Sequence, residues 1–342
     1  MKAGLITSAS DPAKSIEIRD VDVPEPGPDE VRIEVKACGI TRADVLMRQN
    51  FDEMTDGKPL QTGSEIAGVI DAVGGATSEF EVSDRVNVYH RKTCGTCEWC
   101  LAGEETMCED NRKIGRDIPG GFAEYIVVPA ESVDPIPDSM DFVTAGAYPS
   151  SFTTAWRMIV TTGELRPSER ALILGASGGV GHACLQLSER LGAETYATTS
   201  TQKKAERVSE WAEAVINYED VDFAEEIRAL TDERGVDLVA DHVGQATWQQ
   251  SIDSLAKGGR MVVCGATSGP YPDINIRSLY QHHRQIRGAP LGNRRDFRNV
   301  GRLIARGEVG PEIDRTLPLD RLADAHLALE NRDVTGKVVV MP

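Results

Sequence analysis

Between Ala171 and Gly192 the chain reads ALILGASGGVGHACLQLSERLG, an apolar run of strand type, a glycine-rich turn and a helical pattern, in that order. Leu172, Ile173 and Leu174 supply the strand, and Gly175, Gly178, Gly179 and Gly181 the turn. Cys184, Leu187 and Leu191 recur at helical spacing up to Gly192. A helix that opens directly out of a tight turn presents free backbone N–H groups and the positive end of its dipole to an anion. Ala176, Ser177, Gly178, Gly179, Val180 and Gly181 are therefore the candidate cradle for a dinucleotide pyrophosphate. Alanine occupies the first position of the strict G-x-G-x-x-G pattern, so on this motif alone a glycine-rich connection without a ligand stays open.

A second short strand, Glu194 to Thr198, ends where an Asp or Glu would take the ribose 2′-hydroxyl of NAD. The sequence there is TTSTQKKA, without a carboxylate. Ser200 and Lys204, with Lys203 beside it, can instead hold a 2′-phosphate by hydrogen bonding and charge, which favours NADP(H). A solvated helix start with two lysines is the bland alternative.

Two textures divide the 342 residues. Residues 1–150 read as short strands between Pro/Gly breaks, and VRIEVKA alternates apolar and charged residues as a half-buried strand does. From 151 to 288 strand and helix alternate: LILG, ETYAT, AVINY, VDLVADHVG, RMVVCGA and QIRGA are six strands with helical crossovers, the pattern of a doubly wound parallel α/β sheet. Residues 289–342 hold two helical stretches and the strand KVVVMP, too little for a domain, and are expected to pack back onto one of the two.

The formal charge of −17 argues against nucleic acid or an anionic membrane as partner. Only ten of the 37 basic residues are Lys, and an Asp/Glu-rich, Lys-poor surface is what a salt-rich cytoplasm selects, although a plain acidic protein fits as well. The amino terminus MKAGLITSASDPAKS has no basic stretch followed by an apolar core, and no run approaches the roughly 18 apolar residues of a membrane span. The expected location is the cytoplasm.

Seven cysteines, an odd number, do not make a disulfide framework. Four of them, Cys94, Cys97, Cys100 and Cys108, form C-x2-C-x2-C-x7-C within a lobe at about 90–112. Four thiolates fill a tetrahedral Zn²⁺ and leave no open position, the pattern of one structural zinc; an iron–sulfur cluster takes the same ligands. Cys38, Cys184 and Cys264 read as small buried hydrophobes.

These features together with PGPDEVRIEVKACGI, GSEIAGVIDAVG, GGFAEYIVVP, ASGGVG, VINY and LAKGGRMVVCGA resemble the medium-chain dehydrogenase/reductase superfamily over essentially the whole chain. The resemblance implies a GroES-like catalytic domain in the first half, rejoined by the last fifty or so residues, a Rossmann NADP(H)-binding domain, and an active site in the cleft between them. It places Thr41, Ser64 and Ser150 where zinc-dependent relatives carry the ligands of a catalytic zinc. Hydroxyls bind zinc far less well than thiolate or imidazole, so no catalytic zinc is expected there, and Cys38 lies three residues before the ligand position. The departures resemble the zinc-free branch of quinone oxidoreductases and enoyl reductases, with the structural zinc lobe retained.

On that resemblance Thr41 and Ser64 become candidate donors to a substrate carbonyl, or else caps of local backbone. Thr154 falls beside the nicotinamide, and Tyr218 near the 2′-phosphate or in the core. Arg42 and Asp44 read as a structural ion pair. Glu65 corresponds to a supporting group, and His242, among six histidines without metal spacing, sits nearest the cofactor strand ends, where a hydrogen-bonded core role is expected of it. The expected activity is NADPH-dependent reduction of an activated C=C or a quinone, a small-molecule substrate. An NADP-dependent alcohol or sugar dehydrogenase with an atypical metal site, and a non-catalytic NADPH-binding protein, are the alternatives. The family's habit of pairing through the edge strand of the coenzyme domain, here about Gln285 to Pro290, makes a homodimer or homotetramer the expectation that the resemblance implies.

Overall fold

The computed structural model describes residues 1–342, which form two compact units, Met1–Ser151 with Gly310–Pro342, and Phe152–Val309. In the first, strands follow one another across a seven-stranded sheet in the order Ile313–Pro318, Lys337–Met341, Glu30–Gly39, Glu65–Val73, Arg85–Val88, Val133–Pro135, with Tyr125–Pro129 also paired to Glu30–Gly39. Apart from the parallel pair formed by the first two, the pairings are antiparallel. The alternation read in VRIEVKA is realised residue by residue: Val31, Ile33 and Val35 are buried while Arg32, Glu34 and Lys36 stay partly exposed. Burying each such aliphatic side chain contributes about 1.5–3 kcal/mol. The C-terminal strand enters this core at Val338 and Val340, with Val340 opposite Cys38.

The second unit is a six-stranded parallel sheet in the order Ala214–Asn217, Glu194–Thr199, Arg170–Ile173, Val236–Asp241, Leu255–Val263, Gln285–Gly288. The strand order reverses between Arg170–Ile173 and Val236–Asp241, the switch point at whose carboxyl ends such sheets bind ligands. The helix Gly179–Arg190 is buried around most of its circumference, not on one stripe alone, with His182 to Ser188 all buried. Gln285–Gly288 ends the sheet and is mostly exposed.

The return to the first unit begins at Gly310, not at 289. Phe297, Val300 and Ile304 give the Arg294–Ala305 helix a buried apolar face, and the helix belongs to the second unit. Asp296, beside the cap of that helix, accepts the Thr161 hydroxyl at 2.6 Å and pairs with Arg157 at 3.5 Å. No helix is long and apolar enough to cross a membrane.

Candidate functional site

The glycine turn is built as its sequence requires. Gly175 has φ +55°, which a β-carbon disfavours, and its N–H donates to Thr198 Oγ1 at 3.1 Å while the Ala176 N–H donates to Thr198 O at 2.9 Å. A β-carbon on Gly181 would lie 2.3 Å from Gly175 O, so only glycine lets the helix approach the turn. The amides of Gly179, Val180 and Gly181 open the helix and have no acceptor within it, with Gly178 as N-cap. Ser177 is buried beside them.

At the end of the neighbouring strand, Thr201 caps the Gln202–Val208 helix by accepting the Lys204 N–H at 3.3 Å. Ser200 stands just before this cap with a hydroxyl that no hydrogen bond engages, and Lys204 is half-buried in the first turn. The Tyr218 N–H donates to Thr199 O at 3.1 Å, which puts Tyr218 beside this strand end while its ring packs on the core cluster containing Leu172, Tyr196 and Ile216. Thr154 is buried in the helix Ser151–Trp156, which continues as one π-helical turn over Arg157–Thr161. His242 does not take the hydrogen-bonded core role expected of it. It follows the strand Val236–Asp241 with Nδ1 buried and unpartnered, and its Nε2 lies 3.1 Å from where a β-carbon of Gly175 would be.

In the first unit the structure separates the two candidate hydroxyls. Thr41 is the N-cap of the helix Arg42–Gln49, and its hydroxyl donates to Asp44 Oδ2 at 2.6 Å, as its N–H does at 2.8 Å. The proton of Thr41 is therefore committed within the chain. Ser64 is 4 % exposed and its hydroxyl has no partner. The ion pair expected between Arg42 and Asp44 does not form, because residues two apart on a helix do not face each other. Asp44 is fully buried and uses its second oxygen to accept the Gly63 N–H at 3.0 Å, while Arg42 reaches Leu329 O at 3.5 Å.

Glu65, also fully buried, accepts the N–H groups of Ser150 and Ser151 at 3.2 and 2.7 Å. Its other oxygen pairs with Lys337 Nζ at 2.6 Å, and that ammonium donates to Ile40 O at 2.9 Å. Burial raises the Glu65 carboxyl above its ordinary range and Lys337 opposes that shift. Sequence reading missed Lys337, which carries no motif. Cys38 is a fully buried thiol held protonated first by burial and then by Asp44 and Glu65. Thr41, Ser64 and Ser150 thus offer hydroxyls alone, a poor donor set for zinc.

The four lobe cysteines converge, their sulfurs all within 4.8 Å of one another. Cys94 Sγ lies 3.5 Å from Cys108 Sγ and 3.9 Å from Cys100 Sγ, bracketing the ~3.8 Å edge of a tetrahedron with Zn–S bonds of about 2.3 Å. N–H groups of Thr96 and Cys97 draw the Cys94 thiol down to about 6, whereas burial pushes Cys100 up to about 12. The donors fit a closed structural zinc, and nowhere else do three or more metal-ligating side chains converge.

A family model described as "Zinc-binding dehydrogenase" matches residues 179–306, and one described as "Alcohol dehydrogenase GroES-like domain" matches residues 27–138. The chain is 30 % identical to an acryloyl-coenzyme A reductase of Sulfurisphaera tokodaii over 97 % of its own length and 98 % of that protein. It is 31 % identical to an NAD-dependent alcohol dehydrogenase of Sulfolobus acidocaldarius over 99 % of each. Among solved structures, an NAD-dependent alcohol dehydrogenase superposes with a TM-score of 0.94 at 33 % identity, covering 100 % of both chains.

Proposed function

The chain belongs to the medium-chain dehydrogenase/reductase superfamily, and on that premise we propose that this oxidoreductase uses NADPH to reduce an activated C=C or a quinone without a catalytic metal. The observation that carries the reading is the donor set at Thr41, Ser64 and Ser150, hydroxyls without a thiolate or imidazole among them. Without a metal as Lewis acid, oxidation of a plain alcohol loses the group that lowers the hydroxyl pKa. A conjugated acceptor does not, because its electron pair moves onto a carbonyl oxygen that a hydrogen bond stabilises.

The N–H groups of Gly179, Val180 and Gly181 would hold the pyrophosphate, and Ser200 with Lys204 the 2′-phosphate. The nicotinamide, when bound, supplies the hydride. Ser64 donates its free hydroxyl proton to the substrate oxygen as negative charge develops there. Asp44 keeps Thr41 and the Gly63 N–H in place, and so fixes the turn that carries Ser64. Cys94, Cys97, Cys100 and Cys108 would hold zinc as a cross-link of the lobe.

Similarity to an acryloyl-coenzyme A reductase supports this reading. Similarity to alcohol dehydrogenases favours a second one, a dehydrogenase of alcohols. A screen of NADPH oxidation with quinones, enones, enoyl thioesters and aldehydes decides between them. Turnover of conjugated acceptors with aldehydes inert is the expected result, and aldehydes as the best substrates would overturn it.

A further inference from the structure

Five Lys and Arg residues are, taken whole, no more than 9 % exposed: Arg48, Arg91, Arg157, Arg260 and Lys337. Four are ion-paired, to Glu330, Asp296, Glu169 and Glu65 respectively. Arg91, 8 % exposed, is the exception: no carboxylate lies within ion-pair distance, and its Nε is sealed from solvent without a partner. The chain has 54 acidic residues against 37 Lys and Arg, so a shortage of carboxylates is not the reason. A buried charge without a partner is costly, and here the cost is doubled up. Across the two-stranded ribbon Arg91–Lys92 and Arg112–Lys113, Arg91 stands directly opposite Lys113, so both cations project from one face. Lys113 is half-buried and also has no ion pair.

The carboxylates whose charge reaches this pair are engaged elsewhere. Asp44 serves Thr41 and Gly63, and Asp117 accepts the N–H of Lys113 itself at 2.8 Å. His90, next to Arg91, is fully buried with both ring nitrogens unpartnered. The ribbon abuts the turn that carries Ser64: Ile114 N–H donates to His90 O at 3.0 Å, and a β-carbon on Gly115 would lie 3.0 Å from the Gly63 carbonyl.

We propose that Arg91 and Lys113 bind the oxyanion end of the acceptor substrate, a carboxylate or phosphate group, beside Ser64. A planar guanidinium fork and a point charge together suit such a group. The inference rests on the reductase reading for its substrate, but not for its anion.

Two acceptors sharing a benzoyl enone, phenyl vinyl ketone and benzoylacrylate, differ in a carboxylate. With the zinc-loaded enzyme and NADPH, Lys113→Gln and Arg91→Gln should raise KM for benzoylacrylate about ten- to a hundredfold more than for phenyl vinyl ketone. Lys113 is half-buried, so its variant remains informative if the Arg91 variant does not fold. Calorimetry without acceptor gives a readout independent of turnover: benzoate or inorganic phosphate should bind the wild type, and Lys113→Gln should lose that binding. Benzoate alone binding assigns a carboxylate; phosphate alone assigns a phosphate. Equal KM changes for both acceptors, or equal anion affinity in wild type and variant, overturns the proposal. If no acceptor is reduced while an anion still binds through Lys113, the reductase reading fails and the anion site stands.

Discussion

Thr41 spends its hydroxyl proton on Asp44 Oδ2, at 2.6 Å, while the hydroxyl of Ser64 on the adjacent turn has no partner in the chain. Two residues of like chemistry therefore have different work. Ser64→Ala should lower kcat by about 10²- to 10³-fold, the usual loss for one oxyanion donor. Thr41→Val should cost about 1 kcal/mol of stability through the lost hydrogen bond and lower kcat far less. Steady-state kinetics beside urea denaturation of both variants checks this, and the reverse pattern would make Thr41 the donor.

Lys204 lies in the first turn after Ser200, with no carboxylate from Thr198 to Ala205. A charge-assisted contact to the 2′-phosphate is worth roughly 1.5–3 kcal/mol, or about ten- to a hundredfold. Lys204→Ala should weaken NADPH by that factor and NADH much less, as read by fluorescence titration. The difference should shrink in high salt. Equal weakening of both cofactors would show that Lys204 supports the fold instead.

His326 is fully buried with both ring nitrogens unpartnered, and burial, followed by the charge of Arg48, holds it down to about 3. In the unfolded chain it titrates near 6.5. Below that pH the unfolded chain takes up a proton that the folded chain refuses, so stability falls as pH falls, by about 1.4 kcal/mol per unit, until about pH 3. His90, depressed by burial and then by Arg91 and Lys113, acts in the same direction. His326→Leu should therefore lose about 2 kcal/mol less than the wild type between pH 6.5 and 5 in urea denaturation. An identical pH slope would contradict this.

What the sequence disclosed was what chain proximity encodes. Gly175 to Gly181 lie in one turn and the four cysteines within fifteen residues, so spacing alone displays both groups. Glu65 with Lys337, and Arg91 with Lys113, meet only through strand pairing, and nothing local marks Lys337 as a buried partner or Lys113 as the neighbour of Arg91. The Arg294–Ala305 helix misled for a related reason: an apolar face shows that a helix is covered, not which core covers it. Thr41 and Ser64 looked equivalent because the bond to Asp44 depends on how the helix after Thr41 begins.

The claim that hydride transfer needs no catalytic metal is tested most directly by counting zinc in the active enzyme. One zinc per chain is expected, falling to nearly none in Cys100→Ser and unaltered in Ser64→Ala. Two zincs per chain, the second lost with Ser64→Ala together with activity, would contradict the account.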